Sequence, residues 1–322
     1  MAELVDDAVS QEGAPPADAR AAGRTGPVPP WATFLAGMVA AVVGLAPWLA
    51  GGARLPLQNL WDGGIPAEAP VVLLPFSQYH VTSIFALLVV GGAVAGVAAR
   101  ALVALAGGRG PALWMGGGLL VGQVVAVVQT IAAVAPGLRD GRDSSVYLVG
   151  IGGGMVACLL ISAGVFALVA LAPPAGALLG LTTGAVAVGV WLPIVVVETS
   201  GPGSAPMGLL RAFTYVMPVL VGAAIAWAGV RTVGRVFSAL VSLVLVWLAP
   251  PLTTAISAAL GTRILARDLP GMLEYGAGVF RLAATDTALV GETLALAVAV
   301  AVAGLILREA LGRRAAPAEQ PA

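Results

Sequence analysis

The stretch TDTALVGETLALAVAVAVAGLIL, Thr285–Leu307, decides the class of fold. It is apolar from Leu294 onward and is long enough to cross a bilayer as one helix, which takes about 20 residues. Glu292 lies inside it, and an ionisable side chain in hydrocarbon costs a few kcal/mol, so this acid faces a bundle interior, water or the membrane edge. We therefore predict that Thr285–Leu307 is the last of several membrane-spanning helices.

The depth of Glu292 leaves two interpretations open. If the helix enters the membrane near Thr287, Glu292 lies roughly 7–8 Å below its start, at ~1.5 Å per residue. That is shallow against a hydrocarbon core of about 30 Å. Glu292 either reaches the interface or a neighbouring helix, or it belongs to a site for a proton, an ion or a substrate.

The composition of the whole chain is that of a membrane protein. Of its 322 residues, 59% are hydrophobic and 10% are charged, whereas a soluble domain carries about 25% charged residues. The continuous apolar runs predict helices rather than the short alternating strands of a membrane barrel. The predicted fold is an all-α integral membrane protein, a bundle of about eight transmembrane helices. The predicted spans are Trp31–Leu49, Val81–Leu105, Ala112–Ala135, Val146–Leu171, Ala175–Val197, Met207–Val230, Val236–Ala249 and Thr285–Leu307.

We make further structural predictions for three segments at or beyond the ends of these spans. Pro250 and Pro251 are predicted to stop or kink the seventh span, with its continuation to Leu260 left open. Ala50–Tyr79 has too many apolar residues for a solvated loop, so it is expected to pack on the bundle's outer surface or dip into the interface. Thr262–Ala284 mixes charged and apolar residues, which favours an amphipathic helix on the membrane, broken near Pro270.

Both termini are predicted to be polar tails that lie on the same side of the membrane. Residues 1–30 and 310–322 are predicted to be disordered, flanking a polytopic domain over residues 31–309. All 16 basic residues are arginine, and Ala, Gly, Val and Pro abound, as is typical of a GC-rich bacterial genome. With the termini inside, nine arginines fall on the cytoplasmic side and seven opposite; the arginines of the short loops favour this arrangement. We predict a multi-pass protein of the cell membrane with both termini cytoplasmic.

Glycines at four-residue spacing indicate where helices approach closely. Gly118 and Gly122 form one such pair, and Gly150 and Gly154 form another. Small residues let helix backbones come together in lipid. These pairs predict tight packing within the bundle, with a dimer interface as the alternative.

The few polar groups in or near the spans are the candidate site. With the termini inside, most of them fall at the outer ends of spans, which suggests an outward-facing polar vestibule in which Glu198 or Glu292 pairs with Arg211. The alternative is that each group is merely hydrated at the interface. Gln123, near the midplane, either bonds a neighbouring helix or lines a conduction path; His80 either senses pH or is an ordinary interfacial residue. The candidates are His80, Gln123, Gln129, Glu198, Arg211, Asp286 and Glu292.

Several kinds of chemistry have no support in the sequence. One cysteine, Cys158, cannot form an intrachain disulfide or a cysteine metal site, and one histidine cannot supply bis-histidine haem ligation. No hydrolase, zinc-protease or nucleotide-binding motif is present, and the glycine run Gly150–Met155 lacks the lysine and the preceding strand of a phosphate loop. We therefore expect no cofactor, no metal and no nucleic-acid partner.

Three functions remain open on this basis. The first is a permease-like or transport-associated component. The second is an accessory or scaffold subunit of an envelope complex, with a membrane-protein partner or a second copy beside the lipid bilayer. The third is a membrane enzyme acting on lipid or polyprenyl substrates at the outer face. The inner halves of several spans are poor in polar groups, which counts against a conventional ion-coupled transporter.

Overall fold

A computed structural model of the chain describes residues 28–58, 60–62, 68–106, 108–200, 204–262, 264–265 and 268–314. Within these ranges the chain is a bundle of α-helices, as predicted, and eight helical segments are long and apolar enough to cross a membrane. The helices are α1 (Pro30–Ala50), α2 (Val81–Ala106), α3 (Gly110–Val134), α4 (Arg142–Leu171), α5 (Pro174–Ser200), α6 (Met207–Phe213), α7 (Val216–Ala228), α8 (Val233–Gly261), α9 (Leu269–Ala284) and α10 (Thr287–Arg314).

Two predicted spans differ in their continuity. The sixth is interrupted at Thr214 and Tyr215, so that α6 and α7 together make one span. The seventh does not stop at Pro250 and Pro251, because α8 passes through both prolines to Gly261. The hydroxyls of Thr253 and Thr254 each donate to the carbonyl oxygen of Pro250 at 2.9 Å. Packed neighbouring helices make prolines tolerable in membrane helices, and α5 and α9 both pack on α8.

The helices form two packing groups that share α5. Helix α1 packs on α2 and α3, and α2 packs on α4; in the second group α10 packs mainly on α7, and α9 packs along α8. Helix α5 contacts α1, α2 and α4 on one side and α7 and α8 on the other. We call the end of the bundle that carries residues 51–80 and α9 the long-loop end, and the opposite end the short-loop end.

Only some of the predicted glycines lie at close contacts between helices. Gly118 of α3 lies against the carbonyl of Phe34 in α1, which confirms packing within the bundle for that position. Gly222 of α7 lies in the same way against the carbonyl of Ala297 in α10. Gly150 and Gly154 differ, since no described side chain or neighbouring backbone lies within 4 Å of where their Cβ atoms would be.

The segment between α1 and α2 belongs to the core of the first group. Val72, Leu74 and Phe76 are fully buried, so the segment packs on the bundle as predicted and also inserts side chains into it. The indole of Trp48 donates to the carbonyl of Val72 at 2.8 Å, and the hydroxyl of Thr130 accepts from the backbone N–H of Leu74 at 3.0 Å. These bonds satisfy backbone groups that would otherwise be costly to bury.

Two arginines cap helices at the short-loop end. Arg100 donates to the carbonyl of Val169, near the end of α4, at 2.7 Å, and its guanidinium lies 5.0 Å from the ring centre of Trp227 in α7. Arg308 of α10 donates to the carbonyl of Trp227 at 2.7 Å. A cation at a helix C-terminus is favoured by the orphan carbonyls and the helix dipole.

The amphipathic segment and the tails have these bounds. Helix α9 begins at Leu269, with Pro270 in its first turn and Asp268 as its N-cap, so the proline starts the helix and does not break it. Helix α10 continues to Arg314, so residues 310–314 are helical. Residues 1–27 and 315–322 of the predicted tails, together with Arg263 and Arg267, lie outside the described residues.

Candidate functional site

A cavity of about 220 Å³ lies in the second packing group, toward the long-loop end. An engineered apolar cavity of about 150 Å³ holds benzene, so this space suits a small organic molecule. Its lining residues come from α5 (Val186, Gly189, Val190), the α6–α7 junction (Phe213, Thr214, Met217), α8 (Val246, Trp247, Ala249, Pro250, Pro251, Thr253, Thr254), α9 (Ala283) and α10 (Val290, Thr293).

The cavity lies where the surrounding helices are irregular. The break between α6 and α7 is at its wall, and so is the Pro250–Pro251 pair of α8. Helix α5 contains Pro193 and α7 contains Pro218, each a few residues from the lining. A proline ring clashes with the preceding turn and kinks a helix. Irregular backbone at membrane depth is tolerated where it is buried in protein or lines a cavity, as it does here.

Four lining residues are threonines, and their hydroxyls donate to carbonyls of neighbouring turns in the same span. Thr214 donates to the carbonyl of Arg211 at 2.7 Å, and Thr253 and Thr254 both donate to Pro250. A hydroxyl that has donated its proton retains acceptor lone pairs. Thr214, Thr253 and Thr254 therefore present acceptors to the cavity, in a wall whose other polar side chains are Thr293 and Trp247.

Trp247 joins the cavity to α9. It lies on α8 among the lining residues, and its indole N–H donates to the carbonyl of Ala284, at the end of α9, at 3.0 Å. Helix α9 is held further along α8 by Gly276, which approaches Ala259 closely. The amphipathic helix is thus fixed beside the cavity, and its residue Ala283 forms part of the wall.

Gln123, predicted near the midplane, is a helix–helix link away from the cavity. It is 1% exposed, and its amide nitrogen donates to the carbonyl of Leu88 at 2.7 Å and to the hydroxyl of Ser162 at 3.0 Å. It therefore joins α3 to α2 and α4, the first of its two predicted roles. Its amide oxygen has no hydrogen-bond partner among the described residues.

Three other candidates gather around the end of α1. The amide of Gln129 accepts from the N–H of Leu73 and donates to the carbonyl of Val71, both at 2.9 Å, so it secures the segment between α1 and α2. The ring of His80 lies 6.2 Å from that of Trp48. The carboxylate of Glu198 lies against Gly51, directly after α1. These residues share the long-loop end, as predicted, on the side of the first packing group.

The remaining candidates lie on the second packing group. Arg211 is exposed on α6, Asp286 directly precedes α10, and Glu292 is exposed in α10. Among the described residues no ion pair links Arg211 to Glu198 or Glu292, so the predicted pairing is not present. The prediction rested on a shared depth, and depth does not fix positions in the membrane plane. Arg211 and Glu292 do stand close in sequence to the lining residues Thr214 and Thr293.

The lining residues were not singled out from the sequence. Most are valines, threonines and prolines in apolar runs, which carry no distinctive motif. The available signal was the clustering of prolines in the fifth to seventh spans: Pro193, Pro218, Pro250 and Pro251. Interrupted hydrophobic segments are a known pointer to binding sites in membrane transporters.

Comparison of the chain with protein-family models, with curated proteins and with solved structures found no match.

Proposed function

We propose that this protein is a permease-like membrane protein that binds a small, largely apolar solute in the cavity between α5, α7, α8 and α10. The observation that carries the proposal is the coincidence of the cavity with the interrupted span α6–α7 and the proline pair of α8. In many transporters the substrate site is formed at discontinuous helices within the membrane.

The apolar wall supports the proposed class of solute. Valine, phenylalanine and methionine side chains supply much of the surface, and burial of apolar area stabilises a complex by about 25 cal/mol per Å². A few fixed polar groups, the threonine oxygens, provide orientation, which is the usual composition of a small-molecule site. Scarcity of charge in the spans suits such a solute better than an ion.

The direction of access follows from the proposed topology. With both termini cytoplasmic, the long-loop end faces outward and the cavity lies in the outer half of the protein. A C-terminal reporter that is active only outside the cytoplasm should therefore give no signal, while the same reporter inserted between α8 and α9 should be active. The reverse result would overturn this orientation without affecting the cavity.

Small molecules that co-purify with the protein provide the test of binding. Val190 lines the cavity, so Val190→Phe fills part of it, whereas Val197→Phe adds the same volume on an exposed position of the same helix. Mass spectrometry of mild-detergent preparations should find a compound that is retained by the unaltered protein and by Val197→Phe and is depleted in Val190→Phe. Its uptake into proteoliposomes should depend on the protein in the same order.

Three other results of these experiments would contradict the proposal or favour a different function. If no compound distinguishes the two variants, the cavity is not a solute site and the proposal is wrong. A bound compound that is not transported into proteoliposomes would favour an accessory, ligand-sensing subunit. Chemical conversion of that compound by the protein would favour a membrane enzyme.

A further inference from the structure

Three prolines in the interiors of α5 and α8 remove backbone donors beside the cavity. Proline has no N–H, so in a helix interior the carbonyl four residues earlier loses its usual partner. For Pro193 this is the carbonyl of Gly189, and for Pro250 and Pro251 these are the carbonyls of Val246 and Trp247. These three residues line the cavity, and so does Thr214, whose carbonyl lies between α6 and α7.

At Gly189 and Thr214 the backbone itself is exposed to the cavity or lies outside a helix. Gly189 has no side chain, so its part of the cavity wall is backbone. Thr214 lies in the break between α6 and α7, and among the described residues its carbonyl accepts no backbone hydrogen bond outside the helices. The carbonyls without a helical donor thus come from three separate spans, α5, α6–α7 and α8, whose residues line one cavity.

Carbonyls that lack their usual helical donor, in a low-dielectric site, favour a ligand that donates hydrogen bonds. A buried acceptor without a partner is costly, and a donor from the ligand removes that cost. The hydroxyls of Thr214, Thr253 and Thr254 add further acceptors, because their protons are already used. No carboxylate is found among the described lining residues, and a bare ammonium would be expensive to bury without one.

We propose that the solute is a small neutral amphiphile with a hydroxyl or amide N–H donor on an apolar body of about benzene size. Its donor bonds to the carbonyls of Gly189, Thr214, Val246 or Trp247, and its apolar part lies against the valines and Phe213. This inference rests on the proposed function, because it names the class of solute for the same cavity.

Three matched probes test the donor requirement on the unaltered full-length protein. They are 4-fluorobenzyl alcohol, its methyl ether and 4-fluorotoluene, followed by ¹⁹F NMR in nanodiscs, with empty nanodiscs correcting for partition into lipid. Each hydrogen bond is expected to favour the alcohol by about 2- to 13-fold over either probe without a donor. Val190→Phe should abolish the bound signal for all three.

Proline variants test which groups accept the donor. Pro193→Ala restores an N–H that can occupy the Gly189 carbonyl, and Pro250→Ala does the same for Val246. Each of these two variants should reduce the preference for the alcohol, while the binding of 4-fluorotoluene stays the same. Pro47→Ala, in α1, which supplies none of the described lining residues, is the matched control and should leave the preference unchanged.

The outcomes separate this inference from the proposed function. Equal binding of the three probes, all sensitive to Val190→Phe, would overturn the donor requirement and leave the cavity as a solute site. A loss of preference in Pro47→Ala equal to that in Pro193→Ala would also overturn it, since the effect would not be local. Binding of every probe that is insensitive to Val190→Phe, or no binding at all, would overturn the site itself.

Discussion

Replacement of Gly222 by alanine should loosen the packing of α10 on α7. Gly222 lies in α7, and a Cβ atom added there would lie 2.5 Å from the carbonyl oxygen of Ala297 and 2.7 Å from the Cβ of Val300, both in α10. The neighbours are backbone and a β-carbon rather than the end of a flexible chain. Since α10 packs mainly on α7, it has little other contact to hold it in place.

The expected magnitude follows from two opposing terms. Helix α10 would have to retreat by roughly 1 Å to restore van der Waals contact, and overpacking of this kind costs about 1–3 kcal/mol. Alanine in place of glycine in a helix contributes about 0.5–1 kcal/mol in the other direction. Gly291→Ala in α10 gains the second term alone, because nothing lies within 4 Å of its added methyl group. Gly222→Ala should therefore be less stable than Gly291→Ala by about 1–3 kcal/mol.

Unfolding by sodium dodecyl sulfate in mixed micelles, followed by tryptophan fluorescence, measures this difference. Trp227 of α7 is a suitable reporter, because its carbonyl accepts a hydrogen bond from Arg308 of α10. The midpoint should fall in Gly222→Ala and stay or rise in Gly291→Ala. Equal midpoints in the two variants would refute the close approach of α7 and α10.

Two further predictions concern polar side chains that hold backbone. Gln129→Met removes both hydrogen bonds to the segment after α1, so protease cleavage within residues 51–77 should accelerate. Val128→Met, at the exposed neighbouring position, should leave the cleavage rate unchanged. Cleavage at the same rate in both variants would contradict this role of Gln129. Arg308→Met removes the donors at the end of α7 and should cost about 1 kcal/mol in the same unfolding assay, with Arg308→Lys recovering only part because lysine lacks the planar fork. Wild-type stability in Arg308→Met would show that the cap contributes nothing.

Hydropathy was sufficient to predict the architecture. Each span is a long apolar run, and a helix is the structure that satisfies its backbone internally in lipid, so the all-α bundle of eight spans followed directly. Gln123 was predictable in the same way, because an amide at the midplane must find a partner. The sequence left open whether the seventh span continues to Leu260 beyond its proline pair, and α8 does continue, to Gly261, because packed neighbouring helices tolerate prolines in a membrane.

The arrangement of polar groups was beyond the sequence. Spacing along a helix gives depth and face, but the positions of helices in the membrane plane come from packing between residues far apart in the chain. Gln129 and Glu198 meet α1 and its loop, while Arg211 and Glu292 lie on the other group. The cavity was missed for the same reason, because its prolines lie in three separate spans and become neighbours only in the bundle.

A cryo-electron microscopy map of the natively purified protein in nanodiscs would image the cavity itself and so decide whether it is a solute site. We expect isolated density between α5, α7 and α8, of the size of a small organic molecule, with a polar end at the backbone of Gly189 and Thr214. A cavity closed by side chains, or filled by an acyl chain continuous with the surrounding bilayer, would contradict a solute site.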